Sequence, residues 1–296
     1  MLYKNAEMLL NITQRDGCRI CDAVLMNEVK TSEKTPDEIV SRMDKMLDVM
    51  LEASNRGINE YIRSVSGMSG GSAKLLYDRI KDGHSLCGGI IPLAMARALS
   101  CSEVNASMGK IVAAPTAGSC GILPAVIITC GEALGCDRRK MIDGLLTASG
   151  IGQIIGRNAT LAGAEGGCQA ECGSASAMAA AAAVEMAGGT PEMALSAGAI
   201  AIQNVMGLVC DPIAGLVEVP CANRNASGAV NAITSAEMAL SGIKSFVPFD
   251  QVVASMYSVG KAMPESLRET AMGGVAATPI GEKMKCKYWN KVNNEK

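Results

Sequence analysis

A chain of 296 residues with a formal net charge of −2 can bury a substantial core, and without a long basic run it has no concentrated positive face for a nucleic acid. Aromatics make up only 3% of residues, too few for base-stacking platforms. The most apolar stretches break before the ~20 residues of a membrane span: "ILPAVIITCGEALG" meets Glu132, and Ala175 to Ile202 is interrupted by Glu185 and "GGTPE".

The start, "MLYKNAEMLLNITQRDGC", has neither the basic beginning nor the apolar run of a signal peptide, so a cytoplasmic, reducing setting is expected. There, twelve cysteines read as thiols and metal ligands rather than a disulfide framework, most of them ordinary buried residues. Residues 1 to about 63 are charge-rich and read as helices. "GCRICDAVLMNEVK" places Cys18 and Cys21 in a first helical turn, with a structural reading preferred to a redox pair. In "TPDEIVSRMDKMLDVMLEASNRG", Thr35 is an N-cap, Pro36 opens the first turn and Glu38 completes a capping box. Ile39, Met43, Met46, Leu47 and Met50 form the apolar stripe, and Gly57 is the expected stop.

The character then changes. "KIVAAPTAGSCGILPAVIIT" is the best strand candidate, but its prolines and glycines read equally as loop and helix start. From Leu145 to Ala236 there are eight charged residues, so helices in this region are apolar all round and buried. "SASAMAAAAAVEMAGGTPEMALSAGAIAIQNVMG" reads as two of them, broken at Gly188-Gly189, with Thr190 capping the second and Pro191 at its first position. The expected fold is all-α: one catalytic domain over 1–296, with a charged helical part at 1–63 and a loosely held polar tail at 282–296.

Three glycine-rich loops punctuate the apolar region: "SGMSGGSAK", "APTAGSCGILP" and "NATLAGAEGGCQAECG". Free amides running into a helix start can hold a carboxylate or phosphate. Hydroxyls of Ser66, Ser69, Ser72, Thr116 and Ser119 would add donors, and Lys74 a charge. None matches a P-loop or dinucleotide fingerprint, and glycines that merely let crowded helices turn explain any one loop equally well. Cys168 lies in the third loop, and Cys210 and Cys221 bracket "CDPIAGLVEVPC". No paired-cysteine zinc pattern is present. Three thiols could still converge on a four-iron cluster with one iron left open, although buried structural cysteine is the commoner reading.

"SGMSGG", "APTAGSCGILPA", "AGAEGGCQAECGSASAMAAAA" and "CDPIAGLVEVPCANRNA" closely resemble the iron–sulfur-dependent L-serine dehydratases, or L-serine ammonia-lyases, over about residues 60 to 280. The resemblance implies a largely helical catalytic domain and a [4Fe-4S] cluster on Cys168, Cys210 and Cys221. It implies dehydration and deamination of L-serine to pyruvate and ammonia without pyridoxal phosphate. This sequence looks like an alpha chain, so a separate beta chain is an expected partner, in an oligomer. The substrate carboxylate is expected at Ser66, Gly67, Ser69, Gly70, Gly71, Thr116, Gly118 and Ser119, with Lys74 as countercharge. Arg224 pairs with that carboxylate or equally with Asp211 or Glu218.

The general base is unassigned and can lie in the partner chain. His84, the single histidine, reads as structural, as does Cys172, although it could be a fourth ligand. Glu165 is a helix-cap partner or a proton carrier. Cys87, Cys101, Cys120, Cys130 and Cys136 are assigned to packing, and Cys286 falls in the tail. Related eliminations on L-threonine or L-cysteine, and a non-catalytic helical subunit, remain as alternatives.

Overall fold

The computed structural model describes residues 1–294. Its regular elements among these residues are helices, with only two isolated bridges, Arg63 with Gly70 and Cys210 with Arg268. The chain opens with α1 (Ala6–Asp16), α2 (Ile20–Ser32) and α3 (Pro36–Asn59). Asn5 caps α1 by accepting the Met8 amide at 2.9 Å, and Gly17 closes it in the left-handed conformation. Helix α3 starts as its sequence dictates. Thr35 accepts the Glu38 amide at 3.3 Å and Glu38 accepts the Thr35 amide at 2.8 Å.

Two expectations for this part are corrected. Gly57 does not stop α3, which continues to Asn59. Its amide donates to Ser100 Oγ at 2.7 Å, and a Cβ there would lie 2.8 Å from that oxygen, so the glycine serves a close helix contact. Cys18 precedes α2 rather than sharing its first turn with the buried Cys21.

Next come α4 (Ser72–Lys81), α5 (Ile91–Ala106), α6 (Ile122–Ala133), α7 (Arg138–Asn158), the single turn α8 (Gly163–Gly166), α9 (Ser174–Met186) and α10 (Pro191–Gln203). The ambiguous segment 110–129 is loop, a 3₁₀ turn and the start of α6, not strand. Helix α10 begins as read, with Thr190 accepting the Met193 amide at 3.3 Å and Pro191 at its first position. The chain ends with α11 (Cys221–Leu240), α12 (Phe249–Ala262) and α13 (Pro279–Asn294).

Helix α9 is the axis of the molecule. Every one of its residues is buried, and α6, α7, α10 and α11 pack around it. Alanine makes this possible: small side chains let backbones approach closely, and a helix with no polar face loses nothing by being surrounded. One apolar core runs from Tyr3 to Met256, so the amphipathic stripes of α1–α3 close the same core that α9 centres. Helix α13 takes in most of the polar tail read as loosely held, packing on the Ile213–Gly215 turn, while residues 295–296 lie outside the described residues. No helix among the described residues is long and apolar enough to cross a membrane.

Candidate functional site

The N-terminal end of α9 carries the candidate site. Cys168 opens a helical run that passes through a wide π turn (Gln169–Gly173) into α9; such turns recur at functional sites because they displace one residue from the regular ladder. Gly167, at φ 75°, makes the corner before it. A Cβ there would lie 2.7 Å from Met263 Cε and 2.8 Å from the Leu208 carbonyl oxygen. Cys210 sits in the loop after α10. Its amide donates to the Leu267 carbonyl at 2.8 Å, and its carbonyl accepts the Glu269 amide at 2.7 Å. Gln169 joins the two segments: its amide donates to the Leu208 carbonyl, while its side chain accepts the Gly207 amide at 2.8 Å and donates to the Met256 carbonyl at 2.9 Å. Cys221 is the first residue of α11.

All three predicted cysteines are buried, unbridged thiols, and Cys168 lies near enough to Cys210 and Cys221 for its charge to act on both. Burial pushes Cys221 up to about 12 and raises Cys210 well above the ordinary thiol range, and the charge at Cys168 adds to both. Cys168 goes the other way. Its Sγ is 3.3 Å from that of Cys172, and the hydrogen bond between them holds Cys168 below the ordinary range. Burial opposes this shift and the Arg224 guanidinium supports it, while the same sulfur contact and burial push Cys172 well above the ordinary range. Cys172, read from sequence as structural, thus stands in direct contact with a candidate ligand.

The donor set fits an iron–sulfur group. Three thiols from three chain segments, one predisposed to ionise, are soft ligands in an apolar, buried setting. Among the described residues no three His, Cys, Asp or Glu side chains meet closely enough to hold one metal ion. A cluster takes each thiolate on a separate iron, so its sulfurs need not meet at one point.

The two predicted glycine loops reach the same region through carboxylates. Thr116 donates to Glu171 Oε1 at 2.8 Å, and the other oxygen of Glu171 lies 3.9 Å from Cys210 Sγ. Ser119 lies 3.2 Å from Thr116 Oγ1, and Asn225 fastens Gly118 and Gly121 to α11. Burial pushes the Glu171 carboxyl up, against the Thr116 bond. On the other side, Ser69 donates to the buried Glu218 at 2.6 Å. The loop 66–71 turns back on itself. Gly67 and Ser69 amides donate to Ser64 Oγ, and the Met68 amide to Ser66 Oγ, so these amides are not free for an anion.

Both predicted countercharges are engaged elsewhere. Lys74 pairs with Asp78 on its own helix, and Arg224 lies 2.8 Å from Asp211 and donates to the Val209 carbonyl at 2.8 Å. His84 is exposed in the loop between α4 and α5 and Glu165 is exposed on α8; neither contacts the cysteines through a hydrogen bond. Cys87 is exposed and not a packing residue, whereas Cys101, Cys120 and Cys130 are buried. Cys286 is exposed on α13. Glu171 was not singled out from sequence, although a lone carboxylate between two cysteines in an apolar region was a visible signal.

The Serine dehydratase alpha chain family model matches residues 15–276. The chain belongs to this family. The match begins well before residue 60, so helices α2 and α3 are part of the family pattern too. Among similar members, the L-serine dehydratase, alpha chain, of Peptoniphilus asaccharolyticus is 51% identical over 284 residues, 96% of this chain and 97% of that protein. The probable L-serine dehydratase, alpha chain, of Bacillus subtilis is 48% identical over 288 residues, 97% of this chain and 96% of that one. The L-serine dehydratase of Helicobacter pylori is 36% identical over 93% of this chain but only 62% of its own length. This chain therefore corresponds to part of that longer relative.

Proposed function

We propose that this chain is the catalytic alpha chain of an L-serine dehydratase, converting L-serine to pyruvate and ammonia with a [4Fe-4S] cluster held by Cys168, Cys210 and Cys221 and without pyridoxal phosphate. What supports the reading is that Cys168, Cys210 and Cys221 are all buried, unbridged thiols in a chain that belongs to the serine dehydratase alpha-chain family. When bound, the cluster would supply Lewis acidity toward the serine hydroxyl from an iron without a protein thiolate.

The chain's own residues do the rest. The π turn and Gly167 fix where the Cys168 sulfur points, and Gln169 keeps the Cys210 loop in register with it. The apolar packing of α9 keeps water from the thiolates. Arg224 sits between Asp211 and Cys168 and supports the charge on Cys168. Loss of the α-proton and the hydroxyl gives aminoacrylate and water. Tautomerisation gives the imine, which water hydrolyses to pyruvate and ammonia. The proton-abstracting group belongs either to this region or to a separate beta chain that would dock on it, and we propose that the whole chain acts as one catalytic domain within an oligomer in the cytoplasm.

The test is anaerobic purification with iron analysis, a visible spectrum and pyruvate formation, with and without the beta chain. Brown, iron-containing, air-sensitive protein that deaminates L-serine in preference to L-threonine is expected. Cys168→Ser, Cys210→Ser and Cys221→Ser should each lose colour and activity, while Cys87→Ser keeps both. Iron-free protein that still turns over serine would end the proposal.

A further inference from the structure

We infer that the cleft between the first glycine loop and the start of α11 holds the α-amino and carboxylate groups of the substrate, with Arg63 taking the carboxylate and Glu218 the ammonium; this rests on the amino-acid substrate proposed above. The cleft has a volume of about 340 Å³, within the range of small-molecule pockets, and Arg63, Gly67, Ser69, Glu218 and Asn223 are among its lining residues. Val219 and Ala222 also line it, and Cys221 stands between them in the chain.

Three observations point to this pair. First, the Gly67, Met68 and Ser69 amides are closed on Ser64 and Ser66, so these three do not serve an anion and a side-chain cation is the stronger holder. Second, Arg63 is the only cation lining this cleft, and among the described residues it makes no salt bridge or side-chain hydrogen bond, in contrast to Lys74 and Arg224. Its Nη2 lies 3.7 Å from where a Cβ of residue 67 would stand, so glycine at 67 leaves that face of the guanidinium open. The backbone bridge from Arg63 to Gly70 fixes where the arginine starts. Third, Glu218 is buried yet accepts one hydrogen bond, from Ser69, on a single oxygen; its carboxylate keeps acceptor capacity for an ammonium. A cation and an anion in one cleft match a zwitterion, and a planar guanidinium takes a carboxylate through two parallel hydrogen bonds.

The experiment compares wild-type enzyme with Arg63→Gln and Arg63→Lys, assayed with L-serine and with L-serinamide, which lacks the carboxylate, and titrated with glycine, which has no hydroxyl to eliminate. Arg63→Gln should lower kcat/KM for serine roughly 10- to 100-fold, mainly through KM, the size expected for a lost charge-assisted pair. Serinamide should be nearly unaffected, iron content unchanged, and Arg63→Lys should recover part of the loss. Glycine should bind Arg63→Gln at least about tenfold more weakly than wild type, and Glu218→Gln should weaken it as well. An unchanged serine-to-serinamide ratio in Arg63→Gln would overturn the assignment while leaving the dehydratase reading intact. Wild-type protein that neither deaminates serine nor binds glycine would remove both.

Discussion

Helices α3 and α9 are built on opposite principles. Helix α3 has a capping box, a charged outer face and a stripe of Ile39, Leu47, Met50 and Ala53 turned inward. Helix α9 has no side-chain cap and no outer face at all. The first carries its stability signals within itself, because caps and amphipathic periodicity act over three or four residues. The second is held by its neighbours, and the candidate site at its N-terminal end is as rigid as that packing makes it.

The largest effect is expected inside α9. Ala180 is fully buried, and Ala180→Leu should destabilise the protein by about 3 kcal/mol, the upper end for overpacking, read from urea unfolding. Lys45→Ala on the exposed face of α3 should change stability by less than about 0.5 kcal/mol. A neutral Ala180→Leu would show that α9 is not tightly packed. At the site, Gly163→Ala would set a Cβ 2.6 Å from Glu171 Oε2 and 2.9 Å from Cys210 Sγ. Displacing both should lower kcat/KM for serine by about 100-fold with little change in unfolding midpoint; wild-type kinetics would count against the role of that corner.

Smaller effects test the local signals. Thr35→Ala removes the α3 cap and should cost about 1 kcal/mol, measured by the same unfolding curves. The smallest contrast is one of sign with pH. The Thr35 amide and hydroxyl hold the Glu38 carboxyl below its ordinary value, so its contribution is present above the unfolded value of about 4.3 and is lost as pH falls through the folded one. Burial raises Glu185 in α9, so its protonated form is favoured; its contribution is present below about 4.3 and is lost as pH rises through the raised value. Unfolding midpoints should therefore show Glu38→Gln as destabilising at pH 7 and neutral near pH 3. Glu185→Gln should be stabilising at pH 7, with the gain shrinking in acid. Parallel pH profiles for the two variants would refute the contrast.

Much of the helical layout was legible. The Thr35 and Thr190 caps, the break at Gly188-Gly189 and the burial of the alanine-rich helices follow from local chemistry and from the scarcity of charge. The roles of particular residues were less so. Gly57 looked like a stop because glycine commonly ends helices, but its partner Ser100 lies in another helix. Lys74 looked like a free cation although Asp78, four residues on, was a visible partner. Arg63 drew no notice, since nothing next to it in the chain marks the cleft it lines. Cys168, Cys210 and Cys221 match no general spacing rule, and it was their surrounding motifs that set them apart.

By itself, the sequence determined an all-α chain with a charged amphipathic beginning and a buried alanine-rich centre, because periodicity, capping and composition are properties of neighbouring residues. The tertiary structure alone decided which carboxylate stands beside Cys210 and which one Ser69 meets. Those outcomes depend on contacts between groups 39 and 149 residues apart, Cys210 with Glu171 and Ser69 with Glu218, and no local pattern encodes them.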